Sequence, residues 1–75
     1  MRALIEYIAR SLVDYPDAVH VERISGTHTT IYELRVAPED MGRVIGKQGR
    51  VVNAMRTLVR VAGSREGKRA TLEVV

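Results

Sequence analysis

Residues 44–50 read Val44-Ile45-Gly46-Lys47-Gln48-Gly49-Arg50, with helix-type patterning on both sides. A chain built this way must stop one helix, turn, and start another within a few residues. The two glycines supply the turn, because without a Cβ the backbone can bend sharply and a partner can approach it closely. The following helix begins just past Gly49, so its unpaired N–H groups and the positive end of its dipole face the corner. Free N–H groups beside two cations, Lys47 and Arg50, suit a phosphodiester backbone.

The flanking patterns are regular. Leu4, Ile5, Ile8 and Leu12 predict an amphipathic helix over 2–14, with Glu6 and Arg10 placed to pair and Pro16 ending it. Tyr15 is expected to fold back onto the core. Residues 18–25 read as a strand with Val19 and Val21 inward and His20 outward. Ile24 breaks the alternation, which predicts a bulge or the strand's end. Ser25-Gly26-Thr27-His28 is turn chemistry. Residues 29–36 form a second strand, with Tyr32, Leu34 and Val36 on one face and Glu33 and Arg35 on the other.

Pro38 opens a helix that runs to Gly46, and Glu39 and Asp40 complement its dipole. Its buried face is Met41, Val44 and Ile45. Gly42 lowers helix propensity there, which close packing or ligand access would explain. A clean helix follows over 50–62. Val51, Val52, Met55, Leu58, Val59 and Ala62 lie in one sector, and Asn53, Arg56, Thr57 and Arg60 in the opposite one. Gly63 is the expected C-cap. After a loop at 64–68, residues 69–75 make a last strand with Ala70, Leu72 and Val74 inward.

The order is α-β-β-α-α-β. The hairpin is antiparallel. The second and last strands, joined by a two-helix crossover, are expected parallel and adjacent, in the right-handed sense. The fold class is α+β: two layers, a three-stranded mixed sheet with three helices on one face. Residues 1–75 are expected to form one domain, marginally stable alone at this size.

Charge is unevenly placed. Residues 1–42 carry four arginines against seven acids, a net of −3, whereas residues 43–69 carry eight basic residues against Glu66 alone, a net of +7. Basic charge gathered round the glycine corner is the footprint of a polyanion partner. The chain has no cysteine, hence no disulfide or thiolate chemistry. It shows neither a signal peptide nor a run near the roughly 20 apolar residues of a membrane span, so a cytoplasmic location is the default expectation.

The run Val44 to Arg50, set between two helices and followed by a strand, resembles the signature of KH domains, whose GXXG loop clamps about four nucleotides of a single strand. The element order matches the type II, bacterial arrangement. Chain length and the run from Pro38-Glu39-Asp40-Met41-Gly42 through Arg50 most resemble the KhpA family of small bacterial KH proteins. The resemblance implies that Gly46 and Gly49 let the loop lie against the sugar-phosphate chain. Lys47 and Gln48 would contact it, Arg43 and Arg50 would flank its path, and Ile45 and Asn53 would line a groove for bases. Thr71 and Leu72 would sit near the other wall, although Ile45 and Leu72 read first as core. It also implies single-stranded RNA as partner, self-association, and pairing with a larger KhpB-like protein, with links to RNA chaperoning and cell shape.

Other functions fit poorly. A phosphate-binding G-x-x-x-x-G-K-[ST] loop needs a preceding strand and a hydroxyl where Gln48 stands. A helix-turn-helix reader leaves the strands unexplained. Sheet recognition of RNA needs exposed aromatics in a motif, and Tyr7, Tyr15 and Tyr32 form none. No carboxylate or histidine spacing suggests a metal site. No nucleophile has a visible base, and no cofactor or small-molecule substrate is implied. The chain therefore reads as a non-enzyme. The alternative from another class is a protein-interaction subunit of a larger KH-containing partner.

Overall fold

The alternation of apolar residues along the last two strands sets the inner face of the sheet. In the computed structural model, which describes residues 1–75, helix α1 (Arg2–Leu12) precedes strands β1 (His20–Ser25) and β2 (Thr29–Arg35). Helices α2 (Met41–Ile45) and α3 (Arg50–Arg65) follow, then strand β3 (Arg69–Val74). Short 3₁₀ turns occupy Pro16–Ala18, Pro38–Asp40 and Lys47–Gly49. The sheet order is β1-β2-β3, antiparallel between β1 and β2 and parallel between β2 and β3. The expected α+β architecture is therefore observed.

Inward-facing Tyr32, Leu34 and Leu72 meet Ile5 and Ala9 of α1, Val44 of α2, and Val52, Met55 and Val59 of α3 in one buried cluster. Along α3, Val52, Met55, Val59 and Gly63 are the buried positions, spaced three, four and four residues apart. That is one narrow stripe of the helix. Leu58 and Leu4 were expected inside and are exposed. Each lies about 100° round its helix from the adjacent buried residue, Val59 or Ile5, at the rim of the covered sector. A three-stranded sheet is too narrow to cover that rim.

Several local expectations change. The register runs unbroken from His20↔Arg35 to Ser25↔Thr30, so there is no bulge at Ile24, and the strand ends one residue later, at Ser25. Ile24 instead pairs with Ile31 on the uncovered face, where a cross-strand partner replaces burial. Gly63 does not end α3. A Cβ there would sit 2.7 Å from the Ala70 Cβ and 3.1 Å from the Lys68 oxygen, so the missing side chain lets β3 pack against the helix. Gly67, at φ 73°, takes the capping position. Lys68 N donates to Gly63 O at 2.8 Å and Gly67 N to Ser64 O at 3.0 Å, the paired bonds of a Schellman motif.

The helix predicted from Pro38 is split into a 3₁₀ turn and the five residues of α2. Asp40 does not cap it. Its carboxylate is fully buried and accepts the backbone N–H of Asp14 and of Tyr15, each at 3.0 Å. The main chain after α1 is thereby tied to the start of α2. Tyr15 is anchored by its backbone, which leaves its ring exposed rather than folded onto the core. α1 itself ends two residues earlier than expected.

On the uncovered face, Glu22, Glu33 and Glu73 stand side by side across the three strands. Glu6 and Arg10 pair as expected, at 3.1 Å.

Asp40→Ala strands two backbone donors in a buried place, so unfolding in urea should show a loss of about 2–4 kcal/mol. Asp40→Asn, which keeps one acceptor oxygen, should lose about half as much. Equal stability of all three proteins would show that the link from residue 14 to residue 40 holds nothing.

Candidate nucleic-acid interface

The corner is made by backbone conformations that L-residues rarely adopt. Gly46 has φ 77° and ψ 174°, Gln48 φ 57° and ψ 26°, and Gly49 φ 76° and ψ 13°. Gln48 is the one non-glycine residue of the chain with positive φ, a local strain of the kind that gathers at ligand-binding sites. The turn closes through Gly49 N to Gly46 O at 3.1 Å and Arg50 N to Lys47 O. A Cβ on Gly46 would overlap Val51 Cγ2 and lie 2.8 Å from Val51 Cβ. Gly46 is thus required by conformation and by space. Gly49 has room, its nearest neighbour being the Asn53 amide at 3.5 Å from a built Cβ, and is required by conformation alone.

No side chain caps the start of α3. Apart from Arg50 N, which Lys47 O takes, its first-turn N–H groups have no side-chain acceptor, and the positive dipole end lies at the corner. Lys47, Gln48 and Arg50 are exposed. Lys47 and Arg50 have no acidic partner, since the ion pairs of the chain use Arg2, Arg10 and Arg43 only. Arg50 Nη2 donates to Gln48 Oε1 at 3.4 Å, a long contact that leaves the guanidinium free to turn outward.

The remaining expected site residues separate. Ile45 is not core: it is 39% exposed, an apolar side chain at the rim of the corner. Asn53 lies one turn into α3, beneath Gly49, and its Oδ1 accepts Arg56 Nη1 at 3.2 Å. Arg43 is held away from the cations of the corner. Its Nη2 is 3.0 Å from Asp14 Oδ2 and its Nε 3.8 Å from Asp40 Oδ1, so its charge is already matched. Leu72 is fully buried, but its carbonyl oxygen accepts Arg56 Nε at 3.1 Å. That bond ties α3 to β3. Arg56 was left among surface cations by the sequence, because nothing in its spacing shows a carbonyl partner sixteen residues away. Gly42 meets nothing within 4 Å of a built Cβ, which removes close packing as its explanation.

A family model described as "KhpA/KhpB, KH domain" matches residues 2–74. The chain belongs to the KhpA/KhpB family of KH domains. Among relatives of this family, the RNA-binding protein KhpA of Caldanaerobacter subterraneus subsp. tengcongensis is 55% identical over the full length of both chains. The RNA-binding protein KhpA of Clostridium acetobutylicum is 52% identical, again over the full length of both. The protein of that name in Chlamydia caviae is 45% identical over all of this chain and 96% of its own. No solved structure shows a significant match. The mixed sheet and three helices are those of the type II KH fold. The GXXG sequence of this KH chain is the left-handed corner between α2 and α3.

The two glycines should separate in mutation. Gly49→Ala meets only the left-handed penalty and should cost about 1–2 kcal/mol. Gly46→Ala adds the overlap with Val51 and should cost clearly more, read as the urea midpoint with far-ultraviolet circular dichroism. Equal costs would mean that Val51 yields freely and that the close approach is unimportant.

Proposed function

We propose that this chain binds single-stranded RNA, clamping about four nucleotides at the glycine corner with low sequence specificity. The observation that carries this reading is the uncapped start of α3, set beside Lys47 and Arg50, neither of which has a counter-ion. Gly46 and Gly49 keep side chains out of the way of the sugar-phosphate chain. Lys47 and Arg50 meet phosphates, and Gln48 meets phosphate or sugar. Ile45 offers an apolar surface to a base, and Asn53 an amide. Arg43 orders the neighbouring turn and adds charge only if its acids release it. The relatives' common name, RNA-binding protein KhpA, supports the same partner. No helix is long and apolar enough to cross a membrane. The protein acts in the cytoplasm as an RNA chaperone or post-transcriptional regulator and performs no chemistry.

Two phosphate contacts to a single strand give a slope of log K against log salt of about −1.4, and three give about −2. Lys47→Asp/Gln48→Asp places two acids in the exposed corner and should abolish binding of a tetranucleotide while leaving the circular dichroism spectrum unchanged. Undiminished binding, or a flat salt response of the wild type, would sink the phosphate clamp.

A second reading, self-association, is favoured by one observation. Leu58 and Val61, one turn apart on α3, are 51% and 48% exposed. A second copy covering them would join two weak clamps and raise avidity, and the same face suits a larger KhpB-like partner. Sedimentation should show a dimer for the wild type and a monomer for Leu58→Glu. A wild-type monomer at every concentration would remove this reading.

A further inference from the structure

The inner face of the sheet is apolar along most of its length and polar at one end. Parity from Val21, Tyr32 and Leu34 puts Arg23, Ser25 and Thr30 on that same inner face, with Arg23 opposite Tyr32 and Ser25 opposite Thr30. An arginine and two hydroxyls thus stand where the alternation places core. At this end the sheet bounds an open recess of about 250 Å³ at the tip of the hairpin. The turn from Gly26 to His28 and the loop at Gly67 and Lys68 complete its walls.

Thr30 is only 5% exposed. Its hydroxyl enters no hydrogen bond within the chain. No side-chain oxygen sealed from solvent lacks a partner, so this hydroxyl is reached from outside, through the recess that Thr30 lines. A largely buried polar atom without a partner costs stability unless something in the opening serves it. The charge round it is one-sided. Arg23 and Lys68 line the recess, neither has an acidic partner, and no carboxylate lines it. The backbone N–H groups of Thr27 and His28 have no acceptor in the chain either.

What fits is small and anionic. Pockets for drug-sized ligands run from about 300 Å³ upward and are mostly apolar. This recess is smaller and no apolar side chain lines it, so nothing grips a base or a ring. Two cations, the hydroxyls of Ser25 and Thr30, and unpaired N–H groups are donors suited to a phosphate group, the guanidinium in bidentate form. The recess is separate from the glycine corner. The 16 residues of α3 lie between them, about 24 Å at 1.5 Å per residue. Asn53, Thr71 and Leu72 line no part of it.

We propose that the recess at the hairpin tip is a site for a small phosphate anion, free or carried by a mononucleotide, held by Arg23, Lys68 and the buried Thr30 hydroxyl. The site stands independently of the RNA reading of the corner. An anion bound there ties the β1–β2 hairpin to the loop that joins α3 to β3, and so stabilises the folded chain by mass action.

The test is a titration of the full chain with orthophosphate, pyrophosphate, ADP and UDP at constant ionic strength, followed by nuclear magnetic resonance of the backbone amides. The amides of Gly26, Thr27, His28, Gly67 and Lys68 should shift to saturation, at lower concentration with pyrophosphate than with orthophosphate. Saturation by the two inorganic anions alone assigns the site to free phosphate. Saturation by ADP and UDP as well, with equal affinity, assigns it to phosphate that a nucleotide can carry. Arg23→Gln/Lys68→Gln changes two exposed positions and should abolish these shifts, leaving any at Gly46 to Arg50 as in the wild type. Thr30→Val keeps the branched shape and loses one hydrogen bond to a charged group, so it should bind about tenfold more weakly. Circular dichroism on each variant checks the fold. Hairpin shifts no larger than those of sodium chloride at the same ionic strength, or shifts that persist in Arg23→Gln/Lys68→Gln, overturn the site. Undiminished affinity in folded Thr30→Val leaves only two surface cations and overturns it too.

Discussion

The contact between Gly46 and Val51 governs the arrangement of the helices. Because no Cβ intervenes, the first turn of α3 comes directly against the residue that closes α2. Any side chain at Gly46 would push α3 outward, lifting Val52 and Met55 off Val44 and the inner face of β2. The corner geometry and the packing of the core are therefore one constraint. Its consequence for function is that the left-handed corner cannot relax. The backbone of the corner is held in place by the burial of the helices on either side, so little backbone ordering entropy is left for a ligand to overcome.

Charge is sorted by the same fold. The acids of the first half of the chain are absorbed or turned away. Asp40 is buried on backbone donors, Asp14 engages Arg43, and Glu6 engages Arg2 and Arg10. Glu22, Glu33 and Glu73 line up on the uncovered face of the sheet, where like charges opposite one another cost stability. Nothing in the packing asks for that row. Its electrostatic effect is to make the open face repel a polyanion. The unpaired cations of the corner and of α3 are thereby left on a surface free of those acids.

Much of this was legible in the residues. Element order, strand pairing and the inner face of β2 and β3 follow from periodicity, because period-two alternation decides a strand's face once one residue is placed. The glycine corner was legible because glycines flanking polar residues between helices have few other uses. What escaped were features fixed by distant partners. Asp40 looks like a capping acid in sequence, and only the fold brings the N–H groups of Asp14 and Tyr15 to it. Gly63 looks like a helix end, and only the return of β3 shows that close packing, not termination, requires it. Ile45 looks like core because apolar residues at helical spacing usually are. It is exposed because α2 ends there, at the rim of the corner. Arg43 was expected beside the RNA path and Arg56 among the surface cations. One is matched by acids, and the other holds a strand.

Arg56 also shows why stability and binding are hard to separate at this edge. β3 is an edge strand, with main-chain groups that no neighbouring strand pairs. Such an edge invites a further strand, from another copy or another protein. Here Arg56 occupies the Leu72 carbonyl, and Arg60, Lys68 and Arg69 crowd the approach with unneutralised charge. A second copy of this edge would bring the same charges face to face. The repulsion that keeps β3 from pairing with its own kind is lifted only by a partner that is itself anionic. The same arginines thus hold β3 to α3 and guard its free edge without any change in the fold.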